Sequence, residues 1–147
     1  MSSNDTPKTI LLKGNPIRKE GAAGGAITPG HLLKRTSTGT FVVHDSADAA
    51  VAKAFALEAD LIGNGIDDAY AADDQVQVAY CRPGDEIYAL LPAAAGAVVV
   101  GNFLQSNGNG CLKMLAGGTP IARSRSFISS STSAIRRWVM LWPHPGQ

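Results

Sequence analysis

The stretch Gln75-Val76-Gln77-Val78-Ala79-Tyr80-Cys81-Arg82-Pro83-Gly84-Asp85-Glu86-Ile87-Tyr88-Ala89-Leu90-Leu91 decides the fold. Val76, Val78 and Tyr80 alternate with Gln75, Gln77 and Ala79, the two-residue period of a strand with one buried face. Arg82-Pro83-Gly84-Asp85 then places proline and glycine at the centre of a turn. That order suits a type II turn, because proline presets the first dihedral and glycine accepts the positive second one. Glu86–Leu91 is expected to return as the partner strand of a hairpin.

The flanks repeat the pattern. Thr28-Pro29-Gly30 turns the chain into His31–Arg35, and the polar Thr36-Ser37-Thr38-Gly39 reverses it into Thr40–His44. Val51–Glu58 contains helix-favouring alanines, yet Val51, Lys53, Phe55 and Leu57 alternate with them, so the period assigns a strand. Gly63-Asn64-Gly65 is a turn. Downstream, Val98-Val99-Val100-Gly101 leads into Phe103–Ser106, and Asn107-Gly108-Asn109-Gly110 turns into Cys111–Leu115. Ile121–Ile128 and Ala134–Trp142 flank a Ser/Thr loop. About nine short strands with closely spaced turns predict an all-β domain, a small β-sandwich or barrel.

Composition agrees. The 147 residues are 45% apolar, enough for one packed domain, but only 17% charged with 6% aromatic, so small and β-branched side chains must fill the core. Long amphipathic helices laced with Glu and Lys are excluded. The near-apolar run Leu90–Gly101 contains Pro92 and is too short to span a bilayer, and the chain opens Met-Ser-Ser-Asn-Asp without the basic and apolar regions of a signal peptide. A soluble intracellular protein is the expectation.

Residues 1–26 read as an extended N-terminal arm and 27–147 as the β-rich domain. Ile10, Leu11, Leu12 and Ile17 form an apolar strip framed by Lys8, Lys13, Arg18 and Lys19, and the glycine-rich 20–26 stretch separates it from the later strands. Such an arm would leave the domain and grip a neighbour. The competing reading makes Thr9–Lys13 the first strand of the domain.

Charge is segregated along the chain. Residues 1–44 hold six bases and two acids, 45–86 ten acids and two bases, and 87–147 five bases and no acid. Opposite patches orient encounters between subunits. Asp67, Asp68, Asp73 and Asp74 on one side, and Arg123, Arg125, Arg136 and Arg137 on the other, are therefore the candidate oligomer contacts.

No chemistry rises above this background. Adjacent aspartates separated by Ala69-Tyr70-Ala71-Ala72 lack the alternating oxygen spacing of a calcium loop and read as turn residues. There is no G-x-S-x-G elbow for a serine nucleophile, and the glycine-rich stretches lack the lysine of a phosphate loop. Cys81 and Cys111 have no CxxC spacing and read as small buried hydrophobes, while His31, His44 and His144 read as surface or strand-edge residues. Arg123 and Arg125 beside Phe127, and Arg136 beside Trp138, would suit base stacking, but the near-neutral chain argues against nucleic acid. Catalytic residues, metal ligands and cofactors are all expected to be none.

Two blocks carry a resemblance. The first is Asp67-Asp68-Ala69-Tyr70 with Val76–Tyr80 and Arg82-Pro83-Gly84-Asp85-Glu86-Ile87-Tyr88-Ala89-Leu90-Leu91. The second runs Val98-Val99-Val100-Gly101-Asn102-Phe103-Leu104-Gln105-Ser106-Asn107-Gly108-Asn109-Gly110-Cys111-Leu112. In this order, with Thr28-Pro29-Gly30-His31-Leu32-Leu33 upstream and Pro120-Ile121-Ala122-Arg123 downstream, residues 27–142 resemble the capsid decoration (cement) proteins of tailed bacteriophages. Asn102 stands where such sequences often have aspartate, and Asp73 where they have glycine.

The resemblance implies a non-enzymatic structural protein on the outside of the virion, made in the host cytoplasm. It would reinforce the head by bridging major capsid protein subunits, usually as a homotrimer. Its partners would be the major capsid protein and itself, with no small-molecule substrate and no membrane. Ile10, Leu11, Leu12, Lys13, Ile17, Arg18 and Lys19 would then be the capsid contacts. A nucleic-acid-binding β-domain and a phage carbohydrate-active or cell-wall hydrolase are the alternatives.

Overall fold

A computed structural model describes residues 9–45, 53–82, 84–91, 103–114, 122–124 and 135–141. The described strands are β1 (Leu11–Lys13), β2 (Ile17–Ala22), β3 (Leu32–Arg35), β4 (Phe41–Val43), β5 (Ala54–Ala56), β6 (Gln75–Tyr80), β7 (Glu86–Leu91), β8 (Phe103–Ser106), β9 (Leu112–Met114), β10 (Ala122–Ser124) and β11 (Ile135–Leu141). They form a six-stranded sheet, β1-β7-β11-β10-β8-β9, and a five-stranded sheet, β2-β6-β5-β3-β4. Every ladder between these strands is antiparallel. The one described helical element is a 3-10 turn at Asp60–Ile62. The all-β expectation holds.

Strand alternation sorts side chains into two cores. Leu32, Phe55 and Ala79 of the five-stranded sheet meet Ile87, Ala89, Leu91, Leu104, Leu112, Ala122 and Val139 of the six-stranded sheet, with Ile10 and Leu57 in the same cluster. This is the inter-sheet core of a sandwich. The neighbouring positions Leu33, Ala54, Ala56, Val76 and Val78 point to the other face of the five-stranded sheet. There they pack with Ala23, Ile27, Phe41, Ala59 and Tyr70. A sheet of this kind usually has one wet face; here loops cover that face too.

The turn at residues 82–85 has the expected form but a different role. Gly84 has φ +94° and the Asp85 N–H donates to the Arg82 carbonyl at 3.1 Å, as a type II turn requires. Yet β6 and β7 are not partners: β6 pairs with β2 and β5, and β7 with β1 and β11. The chain leaves one sheet and enters the other at this corner. Residues 14–16 make the matching corner between β1 and β2, so β1–β2 and β6–β7 run together as a bent ribbon. The two corners touch. Gly14 has φ +110°, and a Cβ there would collide with the buried Asp85 carboxylate.

The expected arm is therefore corrected from Thr9 onward. Leu11 pairs with Ile87, and Ile17–Ala22 pairs residue by residue with Tyr80–Gln75. Ile10 is fully buried in the inter-sheet core, so it cannot dock on a neighbour. The glycines of 21–25 do not separate this segment from the domain; Gly21 and Gly24 let the chain run close to β4, which Ala23 bridges at Phe41. A Cβ on Gly21 would come within 2.7 Å of the Phe41 ring, and one on Gly24 within 2.6 Å of Val42. Residues 1–8 lie outside the described residues, as do Val98–Gly101 and most of the Ser/Thr-flanked hairpin, of which β10 and β11 pair as expected.

At the opposite end the sheets are joined again. The Leu32 N–H donates to Gly110, the Gly110 N–H to His44 and the His44 N–H to Leu32, at 2.7, 2.9 and 2.9 Å. The β3–β4 hairpin is thus stitched to the turn between β8 and β9.

Candidate interaction surface

One kind of turn recurs three times, twice in the acidic loop and once at the corner between β6 and β7. In Gly65–Asp68, Ala71–Asp74 and Arg82–Asp85, the first carbonyl accepts from the fourth N–H at 3.1–3.2 Å. In each, the aspartate Oδ2 reaches back to accept from the first N–H at 2.8 Å. Both polar groups of the first residue are satisfied by the fourth, which explains aspartate there. Asp68 and Asp74 are thus turn-closing residues, as expected. Asp73 has φ +73°, the left-handed region that glycine prefers.

The first two of these turns hold the segment between β5 and β6 over the outer core. Tyr70 anchors it: the phenol donates to the Leu57 carbonyl at 2.6 Å and accepts from the Gln77 N–H at 3.4 Å. Burial pushes the Tyr70 phenol pKa up. The same segment carries the 3-10 turn, whose Leu61 and Ile62 are 80% and 76% exposed. Two adjacent aliphatics this bare are unusual beside cores this well sealed.

Two depressions border this turn. One, about 330 Å³, is lined by Leu61, Ile62, Tyr70, Asp74, Gln77 and the β2 residue Glu20, among others. The other, about 120 Å³, is lined by Thr9, Leu11, Arg18, Leu57, Glu58 and Asp60. β2 borders both, and Ile17–Glu20 are all exposed, with Ile17 at 55%. Between Glu58 and Asp74 the sequence has six acids and no base. The result is one surface: the exposed Ile17–Glu20 run of β2, two projecting aliphatics and an acidic rim.

Of the expected capsid contacts, Ile17, Arg18 and Lys19 lie on this run, and Lys13 is exposed at the end of β1. Leu11 and Leu12 are half-buried and Ile10 is interior. The expected oligomer contacts lie in different elements. Asp67, Asp68, Asp73 and Asp74 lie in the loop before β6. Arg123 pairs with Phe103 and Met140 inside the six-stranded sheet, and Arg136 and Arg137 lie opposite Leu90 and Ala89. Arg125 lies outside the described residues. Leu61 and Ile62 escaped the sequence reading. The available signal was an aliphatic pair directly before Gly63-Asn64-Gly65, out of step with any strand alternation.

His44 corrects another expectation: it is 4% exposed rather than a surface residue, because the β8–β9 turn closes over the end of β4. Its Nδ1 lies 2.7 Å from Ser106 Oγ, which also accepts from the Gly108 N–H at 3.2 Å. Burial holds the His44 pKa below its usual value, opposed by Asp45. A serine–histidine contact suggests a nucleophile and its base. Here Ser106 is fully buried and neither residue lines the two depressions, so the pair acts as a clasp between the sheets. The His31 Nδ1 accepts from the Thr28 N–H at 3.0 Å and holds the preceding turn.

The thiols are also interior features. Cys111 is buried, Cys81 packs on the inter-sheet core, and both are free. Burial pushes Cys81 up to about 12 and Cys111 up to about 11, which suppresses the reactive thiolate. Among the described residues, no cluster of His, Cys, Asp or Glu could hold a metal ion. No family model matches the chain, and no curated protein matches it in sequence.

Proposed function

We propose that this protein is a capsid decoration protein that binds the outer surface of a phage head, as a homotrimer, and bridges major capsid protein subunits. The observation that carries the reading is the surface of β2 and the Asp60–Ile62 turn. It offers exposed aliphatics beside the exposed Ile17–Glu20 strand, on a scaffold closed by two cores and tied at both ends. A surface of this kind suits a broad macromolecular partner. Its projecting side chains gain from burial, about 1.5–3 kcal/mol each if complete, and many weak contacts multiply when one molecule bridges several subunits. The resemblance supports the same reading, since its two blocks supply β6, β7 and the β8–β9 turn.

The test is co-sedimentation with assembled empty heads. The expected outcome is saturable, stoichiometric binding that a Leu61→Ser/Ile62→Ser double variant weakens at least tenfold, with its circular dichroism unchanged. Absence of binding by the folded wild-type chain would remove the proposal.

A further inference from the structure

We infer that the depression beside the Asp60–Ile62 turn takes a basic segment of a partner protein, an arginine or lysine with an aliphatic residue close by. The inference deepens the decoration reading and rests on it for the source of the segment, which there is the major capsid protein.

The lining combines two kinds of group. Leu61 and Ile62 supply bare apolar surface from the turn. Glu20 and Gln77 line the depression from the sheet, where they are register partners across β2 and β6. The nearly buried Tyr70 lines it where it meets the outer core. The charged residues of the lining are Glu20 and Asp74, both acids and both exposed. Glu58 and Asp60 line the neighbouring depression.

Tyr70 shows that these charges converge. Burial is the main cause that pushes its phenol pKa up, and Glu58, Asp60 and Asp74 each push the same way. The bases of β2 do not cancel this field. Arg18 lines the neighbouring depression together with two acids, and the Lys19 ammonium lies 5.9 Å from the ring centroid of Tyr80, which is outside the lining.

An aliphatic wall with an acidic rim matches a long basic side chain. Its methylene stem packs on Leu61 and Ile62 while its head reaches the carboxylates of Glu20 and Asp74. The Gln77 side chain adds an uncharged acceptor. A neighbouring aliphatic residue covers what the stem leaves bare. A neutral segment would desolvate the carboxylates without pairing them, and an acidic one would be repelled. At about 330 Å³ the depression lies at the lower end of the ~300–1,000 Å³ of small-ligand sites, which suits side chains of a passing chain.

The probe is the acetylated and amidated peptide Leu-Ser-Arg-Ser-Leu, whose alternate residues share one face when extended. Calorimetric titration of the full chain at low salt is expected to show saturable binding with Kd below ~1 mM. Glu20→Gln should weaken it about threefold and Glu20→Lys about tenfold. Asp45→Asn changes net charge as Glu20→Gln does, but it acts at the Lys34 ion pair and should leave affinity unchanged. Should Glu20→Lys lose its β-sheet circular dichroism, Glu20→Gln carries the test. No binding by the folded chain at ~1 mM, equal binding of a peptide with citrulline in place of arginine, or equal weakening by Asp45→Asn and Glu20→Gln would each overturn the inference. Self-association that excludes the peptide would also overturn it, by assigning the depression to a second copy. Head binding that Leu61→Ser/Ile62→Ser weakens and Glu20→Lys does not would overturn it and leave the decoration reading intact. Peptide binding without head binding would support the basic-segment site and remove the decoration reading.

Discussion

The two faces of the five-stranded sheet are covered by different means. One lies against a second sheet, and its core is made of Phe55, Leu32 and Ala79 facing Leu91, Leu104 and Leu112. The other lies under loops, and its sheet residues include Ala54, Ala56, Val76 and Val78. A sheet satisfies its own backbone through ladders, so it can cover a face with side chains alone. A loop cannot. It needs aspartate-closed turns and the Tyr70 phenol to satisfy buried backbone groups. It also leaves residues such as Leu61 and Ile62 that fit neither core. The difference shows how one sheet can carry both the stability of the domain and its contact surface.

Truncation of the inter-sheet core should break the molecule as a whole. Phe55→Ala removes a fully buried ring from the central strand β5 and is expected to cost about 3–5 kcal/mol, read as a loss of the denaturation midpoint. Protection from hydrogen exchange should fall in both sheets together.

A change in the loop cover should act locally. Tyr70→Phe deletes the phenol oxygen that joins Leu57 and Gln77, at an expected cost of about 1–3 kcal/mol. Hydrogen exchange should quicken in residues 57–74 while β7 and β8 keep their protection. Equal loss in all strands would show that the two covers form one cooperative unit.

The smallest effect concerns the clasp that ties the sheets. Burial lowers the folded pKa of His44, so below its ordinary value of 6.5 the unfolded chain binds a proton that the folded chain resists. Stability should therefore be intact above that value and decline as pH falls below it, by at most about 1.4 kcal/mol per pH unit from this residue. Urea midpoints from pH 7.5 to 5.5 would show this, and His44→Gln should flatten the slope while lowering stability at pH 7.5.

Legibility in the sequence followed the range of the interaction. The turns at 82–85 and 107–110 and the strand alternation of 75–80 were readable, because they depend on residues at most a few positions apart. The role of the first turn was not. Arg82-Pro83-Gly84-Asp85 has the same local form in a hairpin and in a corner between sheets, and only the pairing of β6 with β2 and of β7 with β1 distinguishes them. The expected arm failed for the same reason. Ile10, Leu11 and Ile17 look stranded beside glycines until Gly14 meets Asp85 and Gly21 meets Phe41, contacts that join positions many residues apart.

The sequence by itself determined an all-β domain, the places where the chain turns, and the acids at residues 67, 68, 73 and 74 as turn residues, because backbone sterics and short-range hydrogen bonds are local. Tertiary structure decided which strands became neighbours, that both faces of one sheet would be buried, and that His44 would be interior. It also decided the exposure of Leu61 and Ile62. An aliphatic pair is neither core nor surface until the chain has used up the apolar faces available to cover it, and that depends on the whole arrangement rather than on the residues beside it.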